Sequence, residues 1–184
     1  MTPLDQNCSR KVMIFIDGSN VHWALKAYKK EIGAEFKIDY EKLQLLLTRN
    51  RDLVRTIYYG SLPEVYGMQS QTRFLEYLRT TGIQIVTRPL KTRIDARSGE
   101  SRPIEKGVDV ALAIDLLALA WEDAYDMAIV FSGDADFVGA VEHVMRKGKN
   151  VEVLAFRNSC SNELRATALR TTYFEDIAGL VREK

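Results

Sequence analysis

Short, continuous apolar runs alternate along the chain with longer segments in which apolar residues recur at helical spacing. The short runs are typical of buried strands, and the longer segments are typical of amphipathic helices. The predicted strands cover residues 11–16, 53–59, 83–87, 127–131 and 151–156, and the predicted helices cover residues 19–30, 40–50, 68–81, 107–121 and 137–147. This alternation indicates an α/β protein with a mainly parallel sheet of about five strands, covered by helices on both faces.

The length of the chain fits one doubly wound domain. Its 184 residues, of which 46% are hydrophobic, suffice for a single large core. We find no repeat, linker or low-complexity tract, and we predict one domain over residues 1–184 with a core at about 11–157. A helical C-terminal tail is expected after the core, with a short extended piece at Tyr173 and Phe174.

Net charge, cysteine content and the N-terminal sequence bear on the type of partner and on the cellular compartment. The net charge is +1, so any surface that attracts nucleic acid must be local. Cys8 and Cys160 are too few for a disulfide framework and lack metal-ligand spacing, which favours a reducing compartment. The apolar run after the polar start is too short for a signal sequence or a membrane span, and we expect a soluble, cytoplasmic protein.

Basic residues concentrate in one segment, residues 88–106. They are Arg88, Lys91, Arg93, Arg97, Arg102 and Lys106, set against three acidic residues and a Ser98-Gly99 turn. The composition predicts an insertion that protrudes as a hairpin or loop. Its end leads directly into Asp109, so its base is expected to lie beside that residue.

Acidic turns follow two of the predicted strands. Asp17 ends the first strand, and Asp134 and Asp136 follow the fourth, one residue apart. Because the carboxyl ends of parallel strands share one edge of a sheet, the two turns are expected to meet there. Paired carboxylates of this kind are suited to a divalent metal.

Two further acids lie in the nearly all-apolar segment 107–121. Asp109 falls in the first turn of that helix, where the helix dipole favours a carboxylate by roughly 0.3 to 1 kcal/mol. Its position fits either a simple N-terminal charge or a member of the acidic site. Asp115 lies about 600° further around the helix and is expected to be a structural acid paired with a backbone or arginine group.

Three motifs carry a resemblance to a known family. Residues 16–20 are IDGSN, residues 106–110 are KGVDV and residues 132–137 are SGDADF. Each motif is weak alone, but the three in this order resemble the NYN domain family, specifically its bacterial LabA-like branch within the PIN-like nuclease superfamily. The resemblance spans about residues 12–156. It implies a Rossmann-like, PIN-type three-layer sandwich and metal-dependent ribonuclease chemistry on RNA.

The family's metal-binding acids fall on Asp17, Asp109, Asp134 and Asp136 of this chain, with Asn20 and Ser132 as polar neighbours. The chemistry agrees with that implication. Phosphodiester hydrolysis needs an activated water and neutralised phosphate charge, and Mg²⁺ or Mn²⁺ held by aspartates supplies both. The absence of histidine and cysteine from this set argues against zinc.

Several of these residues also have purely structural interpretations. Asp17, Ser19 and Asn20 are ordinary helix-capping types, and Asp136 is placed to cap the helix that begins at about 137. Lys106 could neutralise the acids, contact phosphate or merely flank a turn. Tyrosines 58, 59 and 66 could stack on a base or pack their loop.

The hypothesis is therefore an Mg²⁺- or Mn²⁺-dependent endoribonuclease that acts on single-stranded RNA, with the basic segment guiding the RNA backbone. The main alternative is a metal- and RNA-binding regulatory module of the same fold without turnover. For the basic segment, a solvated hairpin or a homodimer contact is the competing interpretation. A dehalogenase-type phosphatase and a von Willebrand-type metal site are disfavoured, since Ser19 and Val21 replace the residues those sites require.

Overall fold

The computed structural model describes residues 10–63, 69–94, 101–104 and 106–183. Its strands are β1 Lys11–Asp17, β2 Asp52–Pro63, β3 Gln84–Ile94, β4 Ser101–Ile104, β5 Met127–Phe131, β6 Asn150–Ala155 and β7 Arg170–Tyr173. Its helices are α1 Gly18–Ile32, α2 Tyr40–Thr48, α3 Gln69–Thr80, α4 Val108–Trp121, α5 Val138–Arg146, α6 Asn162–Thr167 and α7 Phe174–Ile177, with 3₁₀ turns at Ala135–Phe137 and Ala178–Leu180.

The strands of the described chain form one sheet in the order β4-β3-β2-β1-β5-β6-β7. All pairs are parallel except β3 with β4, which confirms the predicted α/β class and its mainly parallel sheet. The strand count differs from the prediction of about five. The two additional strands are β4 and β7.

The additional strand β4 belongs to the basic segment. It pairs antiparallel with the last residues of β3, with Lys91 opposite Ile104 and Arg93 opposite Arg102. Residues 91–94 of β3 and β4 itself lack an apolar run. They pair with each other beyond Leu90, where the pairing of β3 with β2 ends. The antiparallel pairing of β3 with β4 is the pairing that the predicted hairpin requires, and the residues that connect the two strands lie outside the described residues.

Apolar residues pack on both faces of the sheet. In β1, Val12, Ile14 and Ile16 belong to the cluster with residues of α1, α2 and α3, whereas Met13 and Phe15 belong to the cluster with α4, α5 and α6. Successive side chains of a strand point to opposite faces, so a fully apolar strand is buried on both sides. This places β1 at the centre of a three-layer sandwich.

The C-terminal tail joins the same core. β7 pairs with β6, and Phe174 at the start of α7 is fully buried with its ring centroid 4.4 Å from that of Phe156. The predicted extended piece therefore ends at Tyr173, one residue earlier than expected. In the described part of the chain, none of the helices has the length and apolar character needed to cross a membrane.

Candidate carboxylate site at the sheet edge

Two strand ends meet at the carboxyl edge of the sheet. Ile16 of β1 is the register partner of Phe131 of β5, so the residues that follow them, Asp17 and Ser132, lie side by side. The Ser132 hydroxyl donates a hydrogen bond to Asp17 Oδ2 at 2.9 Å. The turn after β1 and the turn after β5, which the sequence predicts to converge, are thus joined by a hydrogen bond.

Asp17 is held firmly in this position. The residue is 7% exposed, and its Oδ1 accepts a hydrogen bond from the Asn20 N–H at 3.1 Å. The same contact caps α1, so the capping interpretation of Asp17 is correct and does not remove the residue from the site.

Asn20 connects three segments of the chain. Its side-chain Oδ1 accepts hydrogen bonds from the Gly133 N–H at 3.1 Å and from the Ser159 hydroxyl at 3.5 Å. The amide oxygen therefore binds the turn after β5 and the turn after β6. This makes Asn20 a positioning residue for the edge.

Asp134 continues the hydrogen-bonded chain. Its backbone N–H donates to the Ser132 hydroxyl oxygen at 3.2 Å, and its Oδ1 accepts from the Asp136 N–H at 3.0 Å. Asp134 is thus the cap of the 3₁₀ turn, and α5 begins after Phe137 without a side-chain cap. The interpretation of Asp136 as the capping residue is therefore wrong. Asp136 is an exposed residue within the turn.

Asp109 lies in the first turn of α4 and is exposed. The parallel connection places this helix start at the carboxyl edge, and Val108 shares an apolar cluster with Phe137 beside the other acids. No hydrogen bond or ion pair joins the Asp109 carboxylate to another of the described residues. Lys106, just before the helix, is exposed as well.

The side chains of Asp17 and Asp134 offer carboxylate oxygens, the ligands that a hard divalent cation prefers. The Ser132 hydroxyl links the two residues, because it donates to Asp17 Oδ2 and accepts from the Asp134 backbone N–H. Within residues 10–63, 69–94, 101–104 and 106–183, however, no three Asp, Glu, His or Cys side chains are grouped as a metal centre. The structure brings Asp17, Asn20, Ser132 and Asp134 together through hydrogen bonds. It does not join Asp109 to them by a hydrogen bond.

Asp115 is separate from this edge. Its Oδ2 accepts a hydrogen bond from the Tyr59 hydroxyl at 2.9 Å, so its partner is a phenol and not the expected backbone or arginine group. Burial, and to a smaller extent the hydrogen bond to Asp115, raises the pKa of the Tyr59 hydroxyl above its ordinary value. The hydroxyl therefore stays protonated and acts as a donor. The pair is structural.

Sequence reasoning missed the packing of the two turn glycines and the role of Ser159. A Cβ on Gly133 would lie 2.1 Å from the Ser159 carbonyl oxygen, and one on Gly18 would lie 2.6 Å from the Tyr59 carbonyl oxygen. Only glycine fits such close backbone approach. A glycine adjoining the acidic residue in each turn was the available signal, whereas nothing near Ser159 indicated its contact.

The basic residues and the tyrosines are placed as follows. Arg88, Lys91 and Arg93 lie on β3 and Arg102 on β4, whereas Arg97 lies outside the described residues. Tyr58 and Tyr59 are 9% and 0% exposed, which agrees with the packing interpretation, and Tyr66 lies outside the described residues.

Comparison with known proteins identifies relatives of this chain. The sequence model of the NYN domain matches residues 11–175. The low amplitude and bright protein LabA of Synechococcus elongatus is 26% identical over 174 residues, which cover 94% of this chain and 88% of that protein. The crystal structure of a protein of unknown function from Vibrio parahaemolyticus superposes with a TM-score of 0.74 at 23% identity, over 98% of this chain and 100% of that one. The last likeness concerns the fold alone.

Proposed function

The chain belongs to the NYN domain family, in its LabA-like branch, and from that premise we propose that it is a metal-dependent endoribonuclease. The proposed reaction is hydrolysis of phosphodiester bonds in single-stranded RNA, in the cytoplasm. The observation that carries the proposal is the hydrogen-bonded series Asp17, Ser132 and Asp134, which connects two acidic turns at the ligand-binding edge of a parallel sheet.

Asp17 and Asp134 would hold Mg²⁺ or Mn²⁺, with Asp109 and Asp136 adding their carboxylates at the same edge. An ion of this class, when bound, lowers the pKa of a coordinated water and neutralises charge on the phosphate. The protein's own contribution is orientation. Ser132 fixes Asp17 Oδ2, the Asn20 N–H fixes Oδ1, and the Asn20 side chain fixes the opposite turn.

The basic hairpin supports an RNA path toward this edge. Arg93 and Arg102 are register partners across β3 and β4, so the pairing places two basic residues at matched positions of the two strands. Arginine guanidinium groups form charge-assisted hydrogen bonds with phosphate. Arg88 and Lys106 are exposed and belong to the same proposed contact surface, and Lys91 and Arg97 are assigned to it from their sequence positions alone.

The test is cleavage of a labelled single-stranded RNA with Mn²⁺, comparing the wild type with Asp134→Asn. Asp123→Asn is a matched control, because Asp123 is exposed and pairs with Lys149 before β5, away from the carboxyl edge. We expect cleavage by the wild type and the control and loss of cleavage in Asp134→Asn. Equal cleavage by all three proteins would identify a contaminating nuclease and contradict the proposal.

A second candidate is the regulatory module that binds metal and RNA without turnover. It is favoured by one observation, namely that no three acidic side chains of the described residues are grouped as a metal centre. Its expected result is RNA binding that depends on Asp17 and Asp134, with intact RNA after prolonged incubation with Mn²⁺.

A further inference from the structure

A cavity of about 520 Å³ opens between α1 and α3, on the sheet face that carries α2. Tyr40, Tyr58, Phe74 and Tyr77 supply aromatic walls, and Val21 and Leu25 of α1 close the other side. A volume of this size is typical of sites for small organic groups.

The cavity adjoins the carboxylate site. Gly18, which lines it, follows Asp17 directly, and the Tyr58 ring lies so close that a Cβ on Gly18 would be 2.3 Å from Tyr58 Cζ. A group in the cavity and a phosphate at the carboxylates would therefore be neighbours along one polynucleotide.

The aromatic walls are ordered by their own contacts. The Phe74 ring makes edge contacts with the rings of Tyr40 at 5.8 Å and Tyr58 at 5.7 Å between centroids. Tyr77 accepts a long hydrogen bond from the Tyr40 N–H at 3.4 Å. Phe74 and Tyr77 remain half-buried, so an aromatic guest can reach them. Stacking on such rings is tolerant of base identity and contributes substantially to binding of single strands.

The rim of the cavity is cationic. Lys29 and Lys37 line it but pair with Glu35 at 2.9 Å and Glu183 at 3.5 Å, respectively. Arg73 also lines it, is exposed, and forms no ion pair with any residue in the described ranges. A purely apolar ligand would gain nothing from this cation, whereas a nucleotide phosphate would.

We propose that this cavity binds a nucleobase of the RNA that reaches the carboxylate site, with Arg73 contacting the adjoining phosphate. The proposal rests on the proposed ribonuclease function and specifies its substrate recognition. Base stacking here would set which nucleotide is placed beside the reactive phosphate.

The first experiment fills the cavity. Leu25→Trp introduces an indole from the α1 wall, and Leu45→Trp is the matched control, since Leu45 is 69% exposed on α2 and does not line the cavity. Binding of a short 2-aminopurine-labelled oligoribonucleotide is measured by fluorescence quenching without divalent metal. We expect quenching with the wild type and control, and an affinity at least about tenfold weaker for Leu25→Trp, as expected for loss of one stacked base.

Two more variants test the proposal if Leu25→Trp does not fold. Phe74→Leu keeps an apolar wall but removes the stacking ring, and Arg73→Ala removes the rim cation, with Arg79→Ala as the control at the far end of α3. We expect weaker quenching for Phe74→Leu and weaker RNA binding for Arg73→Ala. Unchanged binding in Leu25→Trp, or in Phe74→Leu if the first variant does not fold, would overturn the proposal.

Cleavage measured on the same proteins separates the two proposals. If the wild type cleaves RNA and the cavity variants cleave with unchanged base preference, the cavity proposal fails and the nuclease proposal stands. If no protein cleaves but Leu25→Trp abolishes quenching, base binding stands and the nuclease proposal fails. Binding of nucleoside monophosphates is measured as a final comparison. Tight binding of a free nucleotide, together with no binding of the oligoribonucleotide, would also overturn the proposal of an RNA site.

Discussion

Asp17 and Asp115 are both held by hydrogen bonds close to the central sheet, yet their surroundings differ. Asp17 sits at the carboxyl edge and accepts hydrogen bonds from the Ser132 hydroxyl and the Asn20 N–H. Asp115 lies in the middle of α4 and accepts one from Tyr59, which is 0% exposed. The first carboxylate is bonded to a turn that carries further acids, whereas the second is bonded to the core.

The two carboxylates differ in where their hydrogen-bond donors lie. The donors to Asp17 belong to turns at the sheet edge, whereas the donor to Asp115 belongs to a core tyrosine. Ser132 also accepts the Asp134 N–H, so the contacts of Asp17 orient a second acid. Burial raises the pKa of Tyr59, so that hydroxyl remains protonated and serves Asp115 alone. The edge is where we propose a cation binds, whereas the Tyr59–Asp115 hydrogen bond lies between the sheet and α4.

The largest expected effect is on the proposed RNA cleavage. Asp17→Asn should lower RNA cleavage by at least about 100-fold, which corresponds to about 2.7 kcal/mol of lost transition-state stabilisation. Asp115→Asn makes the same chemical change and should leave cleavage within about twofold, since an amide oxygen still accepts from Tyr59. Single-turnover rates with Mn²⁺ measure both. Equal losses in the two variants would remove the distinction between the two regions.

The convergence of the acidic turns could be predicted from sequence because it depends on topology alone. The fully apolar runs of β1 and β5 indicate strands that are buried on both faces, and parallel strands end at one edge of the sheet. This topology alone predicts that Asp17 and Asp134 lie at the same edge.

Contacts that depend on distant partners could not be predicted. Ser159 meets Asn20 from a turn 139 positions away, and Tyr59 meets Asp115 across the sheet–helix interface. The sequence predicts β4 only as part of a hairpin or loop and β7 only as a short extended piece, because residues 101–104 and 170–173 have no apolar run. The periodicity of apolar residues indicates which segments are buried. It does not indicate which distant side chains contact each other or which polar segments pair as strands.

The second prediction concerns metal binding. Saturating Mn²⁺ at roughly 100 times its dissociation constant should raise the free energy of unfolding by about 2.7 kcal/mol. Asp134→Asn should lose most of this gain, because it removes a carboxylate charge from the edge, whereas Asp115→Asn should retain it. Thermal unfolding with and without Mn²⁺ measures the difference. A full gain in Asp134→Asn would place the ion elsewhere on the protein.

The third prediction tests the structural pair. Tyr59→Phe removes the donor to a carboxylate and should lower the free energy of unfolding by about 1–2 kcal/mol, with cleavage unchanged. Tyr125→Phe is the matched control, because the Tyr125 hydroxyl is also buried but donates to a neutral acceptor, the Leu116 carbonyl. Its loss should cost less. Urea unfolding compares the two, and a larger loss for Tyr125→Phe would contradict the importance of the Asp115 charge.

The smallest effect is expected at the basic hairpin, because the proposed contacts with RNA phosphates would be individually weak and screened by salt. Replacing Arg93, Arg97 and Arg102 by alanine should weaken RNA binding and reduce the slope of log affinity against log salt by about 0.7 per lost phosphate contact. Metal stabilisation should persist, since the carboxylates are untouched. Alanine at Arg49, Arg79 and Arg146, which lie at the C-terminal ends of α2, α3 and α5, changes the same net charge at the opposite edge and should leave the slope unchanged. If both triple variants behave alike, the hairpin does not guide RNA, and a shift toward monomer in sedimentation would instead identify it as a homodimer contact.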